Sequence, residues 1–140
     1  QNPNDPVLSR LTREGTPFEV RHLNVGDFLW IARCRETKQE LVLPYIVERK
    51  RVDDLAASIK DGRYHEQKFR LRRSGIYNVV YMIERLPNGS MNTSLPVSTL
   101  MQAAINSIVH DGFTVKFTRD QRDSVLYLAS FTKLLVKLFM

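Results

Sequence analysis

One stretch, residues 40–54, constrains the fold more than any other. An apolar run with Leu41, Leu43, Tyr45 and Val47 on one face and Val42, Pro44 and Ile46 on the other ends in the charged triplet Glu48-Arg49-Lys50. The run has the length and composition of a strand. Side chains alternate across a strand, so Glu48 and Lys50 project to one side and Arg49 to the other. Asp53 or Asp54 then caps a helix carrying Leu55, Ala56 and Ile59, where a negative charge suits the helix dipole. A carboxylate and an ammonium thus share one face at the end of a strand that turns into a helix. The same residues can also serve as a solvated strand end.

The rest of the chain organises around that unit. Residues 7–13 read as a helix tail closed by Gly15 and Pro17, residues 18–23 alternate like a strand, and residues 28–32 form a short apolar strand after the turn Asn24-Val25-Gly26. A polar hairpin loop, 33–39, leads into the strand at 40–48, so that three successive strands make a meander or hairpin. Asp61-Gly62 ends the helix after it. Residues 64–73 form a strongly basic helix with Phe69 turned inward, residues 79–83 a buried strand, 86–94 a loop and 99–109 a helix. Residues 113–117 return as a strand and 123–139 close the chain as a helix. Strands first, then strand and helix in alternation, predict an α/β fold with a mixed central sheet flanked by helices on both faces. That order matches a restriction-endonuclease-like core, and 140 residues fit a single domain.

The chemistry follows from where charge gathers. The formal net charge is +6, a balance that favours polyanionic partners. Between residues 48 and 73 nine basic residues stand against five acidic ones, so most of the excess lies beside the charged triplet. Asp27, from the preceding strand, brings a second carboxylate toward Glu48. Two carboxylates and an ammonium are the parts that phosphodiester hydrolysis needs: oxygen ligands for Mg²⁺, and positive charge for a transition state that gathers negative charge. Cys34 is the only cysteine, which excludes an intrachain disulfide and a Cys-rich zinc cluster. His22, His65 and His110 are scattered without zinc-ligand spacing, and no Gly-rich phosphate loop is present. The apolar C-terminal stretch is interrupted by Lys133 and Lys137, so no membrane association is expected. Trp30, Phe28, Phe113 and Phe117 read as core.

Gly26-Asp27, then Glu48-Arg49-Lys50 with Asp54, then Asp61-Gly62-Arg63 and the run 66–71 (Glu-Gln-Lys-Phe-Arg-Leu) resemble the XPF/MUS family of structure-specific DNA endonucleases. The family signature is G-D, a spacer and E-R-K-x-x-x-D. The adjoining segments look closest to the MUS branch, the catalytic subunits of the eukaryotic crossover junction endonuclease. The resemblance implies a nuclear enzyme acting on branched DNA, namely 3′-flaps, replication forks and nicked four-way junctions, as a heterodimer with a related non-catalytic subunit of the EME type. It implies Mg²⁺ as cofactor, with Mn²⁺ able to substitute, held by Asp27, Glu48 and the backbone carbonyl of Arg49. Lys50 would orient or activate the attacking water, and Arg49 would pair with Asp54 or Asp53 to brace the site. Arg63, Gln67, Lys68 and Arg70 would face the DNA backbone, supplying affinity without sequence reading. By the same resemblance residues 1–140 are a single nuclease domain lacking its first strand, which in the family carries a further acidic pair.

An alternative is a catalytically inactive DNA-binding or scaffolding subunit of the same fold. Retention of Asp27, Glu48 and Lys50 together favours the enzyme. The last helix is apolar over most of its circumference, a pattern that implies burial on two sides. Together with the helix at 99–109 it is expected to form a subunit interface.

Overall fold

In the computed structural model, which describes residues 5–139, helix α1 (Pro6–Arg13) precedes a hairpin of β1 (Phe28–Arg33) and β2 (Glu40–Arg51). Two helices follow, α2 (Val52–Lys60) and α3 (Arg63–Arg72), then β3 (Asn78–Glu84), α4 (Val97–Val109), β4 (Thr114–Thr118) and α5 (Gln121–Phe139). The four strands form one sheet in the order β1-β2-β3-β4, with β1 antiparallel to β2 and the other two pairs parallel. The mixed α/β sheet expected from the sequence is therefore present. Parallel strands need crossovers, and α2–α3 and α4 provide them.

Alternation of side chains divides the core in two. On one face Ile46, Val79, Tyr81 and Ile83 pack against Leu55, Tyr64, Leu71 and Leu100 of α2, α3 and α4. On the other, Val47, Val80 and Met82 meet Val7 and Leu11 of α1 and Val125 and Leu128 of α5. Helices thus cover both faces. β3 is buried from Val79 to Glu84, as a central strand with a helical layer on each side must be. Each large aliphatic side chain sealed there contributes about 1.5–3 kcal/mol relative to an exposed position.

Four local expectations are corrected. Residues 18–23 form no strand of the sheet; Glu19 and Arg21 instead bind this segment to the hairpin through ion pairs with Arg33 at 2.9 Å and Glu40 at 2.8 Å. β2 runs three residues further than expected, to Arg51, because Arg49, Lys50 and Arg51 pair with Met82, Ile83 and Glu84 of β3. Consequently neither Asp53 nor Asp54 caps α2. The capping position is Arg51, with no side-chain bond to the helix, and both acids lie in the first turn. Phe69, expected inside, is 47% exposed, and Tyr64, Lys68 and Leu71 form the buried face of α3.

Candidate active site

The β1–β2 ladder places the acidic pair. Phe28 lies opposite Val47, and the Asp27 amide donates to the Val47 carbonyl at 2.9 Å, so Asp27 and Glu48 are neighbours one step further along. Gly26 makes that approach possible: its φ is +74°, and a Cβ there would stand 2.5 Å from Cδ1 and 2.6 Å from Cγ1 of Ile46, which is fully buried. The Arg49 amide donates to Asp27 Oδ2 at 2.8 Å and fixes one oxygen of that carboxylate. Lys50, on the same face as Glu48, reaches α3, where its ammonium donates to the Gln67 side-chain oxygen. The three groups proposed from the sequence do converge.

Their electrostatics are set by burial and by mutual repulsion of the two acids. Burial, aided by the Asp27 charge and opposed by Lys50, pushes Glu48 up to about 7. Burial also raises Asp27, against the pull of the Arg49 amide and of the Arg49 and Lys50 charges. Lys50 is lowered by burial, with Glu48 the strongest opposing influence and Arg63 adding to the depression. Desolvation disfavours every charged form here, and the two carboxylates repel one another. A divalent cation between them would relieve both costs. Among the described residues no three His, Cys, Asp or Glu side chains come together as a metal site. Asp27 and Glu48 nevertheless fit Mg²⁺, which binds through one or two carboxylates and keeps several waters.

Arg49 behaves differently from the sequence expectation. Its guanidinium pairs with neither Asp54 nor Asp53 but grips Glu84 at the end of β3, Nε to Oε1 and Nη2 to Oε2, both at 2.8 Å. The alternation that sends Arg49 to the α1/α5 face puts it opposite the side of Glu48 and Lys50. Glu84 is 3% exposed and also accepts from Ser124 Oγ at 2.7 Å, with Thr118 Oγ1 2.6 Å from that hydroxyl. Sequence reading missed Glu84, Ser124 and Thr118. The available signal was an acid closing the apolar strand 79–83, as Glu48 does in β2. Asp53 pairs with Arg51 at 2.6 Å, while Asp54 is exposed and reaches the site only through its charge, which favours protonated Lys50.

The four residues assigned to the DNA backbone separate. Arg63 and Arg70 are exposed, each paired locally, with Asp61 and Glu66 at 2.7 Å. Gln67 points to Lys50. Lys68 does not face solvent: it is 5% exposed, bonds Asp111 at 2.7 Å and stacks 4.7 Å from the Tyr64 ring centroid. Arg72 and Arg73 lie over the exposed Phe69 ring instead, 5.8 and 5.5 Å from its centroid. Much of the local positive excess is therefore neutralised within the fold.

Residues 2–131 match the family described as the ERCC4 domain. The chain belongs to this family. It is 49% identical over 139 residues to the human structure-specific endonuclease subunit MUS81, covering 95% of this chain and 25% of that protein. The zebrafish (Danio rerio) subunit of the same name is 47% identical over 143 residues, covering 95% and 24%, and crossover junction endonuclease mus81 of Aspergillus fumigatus is 45% identical over 148 residues, covering 96% and 25%. The ERCC4-domain chain described here thus spans about a quarter of the length of these relatives. Among solved structures, XPF from Aeropyrum pernix superposes with a TM-score of 0.76 at 26% identity over 96% of this chain and 61% of that one. The same protein in complex with DNA gives 0.72 at 27%, over 94% and 60%. These likenesses agree with the restriction-endonuclease-like core.

Proposed function

We propose that this domain is the nuclease domain of a structure-specific DNA endonuclease that hydrolyses phosphodiester bonds at 3′-flaps, replication forks and nicked four-way junctions. The observation that carries the reading is the convergence of Asp27, Glu48 and Lys50 at one end of the sheet, with the Arg49 amide locking Asp27 in place. Family membership, and relatives named as structure-specific endonuclease subunits, support it.

Asp27 and Glu48, with the Arg49 carbonyl, would hold Mg²⁺ or Mn²⁺. A cation bound there supplies Lewis acidity and positive charge to the phosphodiester. Lys50, steadied by Gln67, would orient the attacking water and balance charge developing on the phosphate. The depressed proton affinity of Lys50 makes it a better proton carrier than an ordinary lysine. Arg63 and Arg70, on the exposed side of α3, would contact the DNA backbone. Exposed Met101, Ile105 and Ile108 on α4 and Leu134 and Leu138 on α5 would meet a related non-catalytic subunit of the EME type in the nucleus.

The test is cleavage of labelled 3′-flap DNA against linear duplex, in Mg²⁺ or EDTA, by the full-length chain with its partner and by Asp27→Ala and Glu48→Ala variants. Cleavage confined to the flap, lost in EDTA and in both variants, is expected. Flap binding without cleavage under every condition would establish the inactive scaffold instead.

A further inference from the structure

Tyr81 occupies the centre of β3 and is 1% exposed, and its hydroxyl is the one buried side-chain polar atom among the described residues that finds no hydrogen-bond partner. Leaving such a group unpaired costs about 1–3 kcal/mol. Such orphans are rare and point to a bound water or ion, or to a functional role. The surroundings of this one are specific. Tyr81 stands opposite Glu48 in the parallel β2–β3 register, and both project to the face covered by α2, α3 and α4. Glu48 is half-buried and accepts no hydrogen bond from a described residue. The Tyr64 ring packs edge-on against Tyr81 at 6.2 Å, but its hydroxyl is engaged elsewhere, by Ser107 at 2.9 Å and the Ala103 carbonyl at 3.2 Å. Burial first, then the nearby Tyr64, hold the Tyr81 hydroxyl in its neutral, donating form, and the Glu48 and Asp27 charges add to this.

A buried donor without an acceptor thus sits across adjacent strands from a half-buried acceptor without a donor. We propose that Tyr81 is a positioning residue of the acidic site: its hydroxyl donates to a water held between it and the Glu48 carboxylate, orienting that carboxylate for a divalent cation. The inference rests on the metal-site reading given under Proposed function. A water with two or more polar partners is stable in such a place, and partners that orient a ligating carboxylate are worth 10–100-fold in metal affinity.

The experiment titrates Mn²⁺ calorimetrically into the full chain and into Tyr81→Phe, Tyr64→Phe and Glu48→Gln variants, alongside thermal unfolding without metal. The expected result is a Kd for Mn²⁺ raised about 10-fold in Tyr81→Phe, with a metal-free melting temperature equal to or above that of the parent, because the orphaned oxygen is gone. Tyr64→Phe should keep the parent's affinity. Binding abolished in Glu48→Gln but unchanged in Tyr81→Phe overturns the role of Tyr81 and leaves the metal site standing. Equal losses in Tyr81→Phe and Tyr64→Phe would assign the effect to loosened ring packing and also overturn it. A parent chain that does not bind Mn²⁺, or binds it no better than Glu48→Gln, removes the metal site and this inference with it.

Discussion

At Gly26 a missing side chain does the positioning. A methyl group there meets Ile46 at both Cγ1 and Cδ1, in a backbone region that L side chains rarely adopt. Gly26→Ala should therefore destabilise the domain by about 1–3 kcal/mol through overpacking and strain. It should also displace Asp27, so that cleavage falls further than the melting temperature alone accounts for; equal activity per folded molecule would contradict the role given to this turn. Glu84 is the second residue on which the site leans. Glu84→Ala leaves the Arg49 guanidinium without its partner in a largely dry environment, and breaking buried pairs of this kind costs about 3–5 kcal/mol. Because Arg49 retains some solvent contact, the lower end is expected, and urea unfolding would measure it. The triplet 48–50 was legible in the sequence because it depends only on alternation along one strand. Its far-side anchor was not, since Glu84 joins Arg49 through strand pairing across 35 positions, which no local pattern reveals.

Among the elements, α3 shows how a charge count differs from a binding surface. Its basic residues look alike in sequence, yet Lys68 is sealed against Asp111 while Arg70 lies in solvent. Arg70→Ala should lower DNA affinity and reduce the slope of log K against log salt by about one unit or less, each phosphate contact being worth that much. Lys68→Ala should leave that slope unchanged and lower the melting temperature, because Asp111 is left buried with only Arg72, 3.4 Å away, as a cation. A salt slope that changes in Lys68→Ala would return Lys68 to the DNA path. The helical period of α3 was visible, but not its phase: the apolar residues are few and Phe69 competes with Tyr64 and Leu71 for the inside. Residues 18–23 were misread for the opposite reason. Their alternation is real, but the polar members are spent on ion pairs with the hairpin, and a strand requires a backbone partner as well as a pattern. Of the two apolar sides expected on α5, one is buried, with Leu128 and Leu135, and the other, with Leu134 and Leu138, is exposed. On α4, Ile105→Arg should weaken association with a partner subunit in sedimentation without unfolding the domain, because Ile105 is 47% exposed.

The whole molecule carries the cost of its acidic site in its pH dependence. Glu48 titrates at about 7 in the folded chain against an ordinary value of 4.5. Between those values the folded state retains a proton that the unfolded state releases, so stability declines as pH rises through this window. The contribution is fully present below about 4.5 and gone above about 7, the reverse of a carboxylate held by an ion pair. Asp27, raised by burial, acts in the same direction. Lys50, lowered by burial, acts in the opposite direction. At about 1.4 kcal/mol for each pKa unit, and allowing for partial hydration, the Glu48 contribution is on the order of 1–3 kcal/mol. Glu48→Gln removes the titration while keeping the shape. The metal-free variant should therefore melt above the parent at pH 8, with the gap closing as pH falls toward 4.5. Mg²⁺ should then raise the melting temperature of the parent at pH 8, by binding the folded state alone, and leave the variant where it was. A parent that gains stability relative to Glu48→Gln between pH 5 and 7.5 without metal would mean that Glu48 is already paired, and that the acidic pair is not poised for a cation.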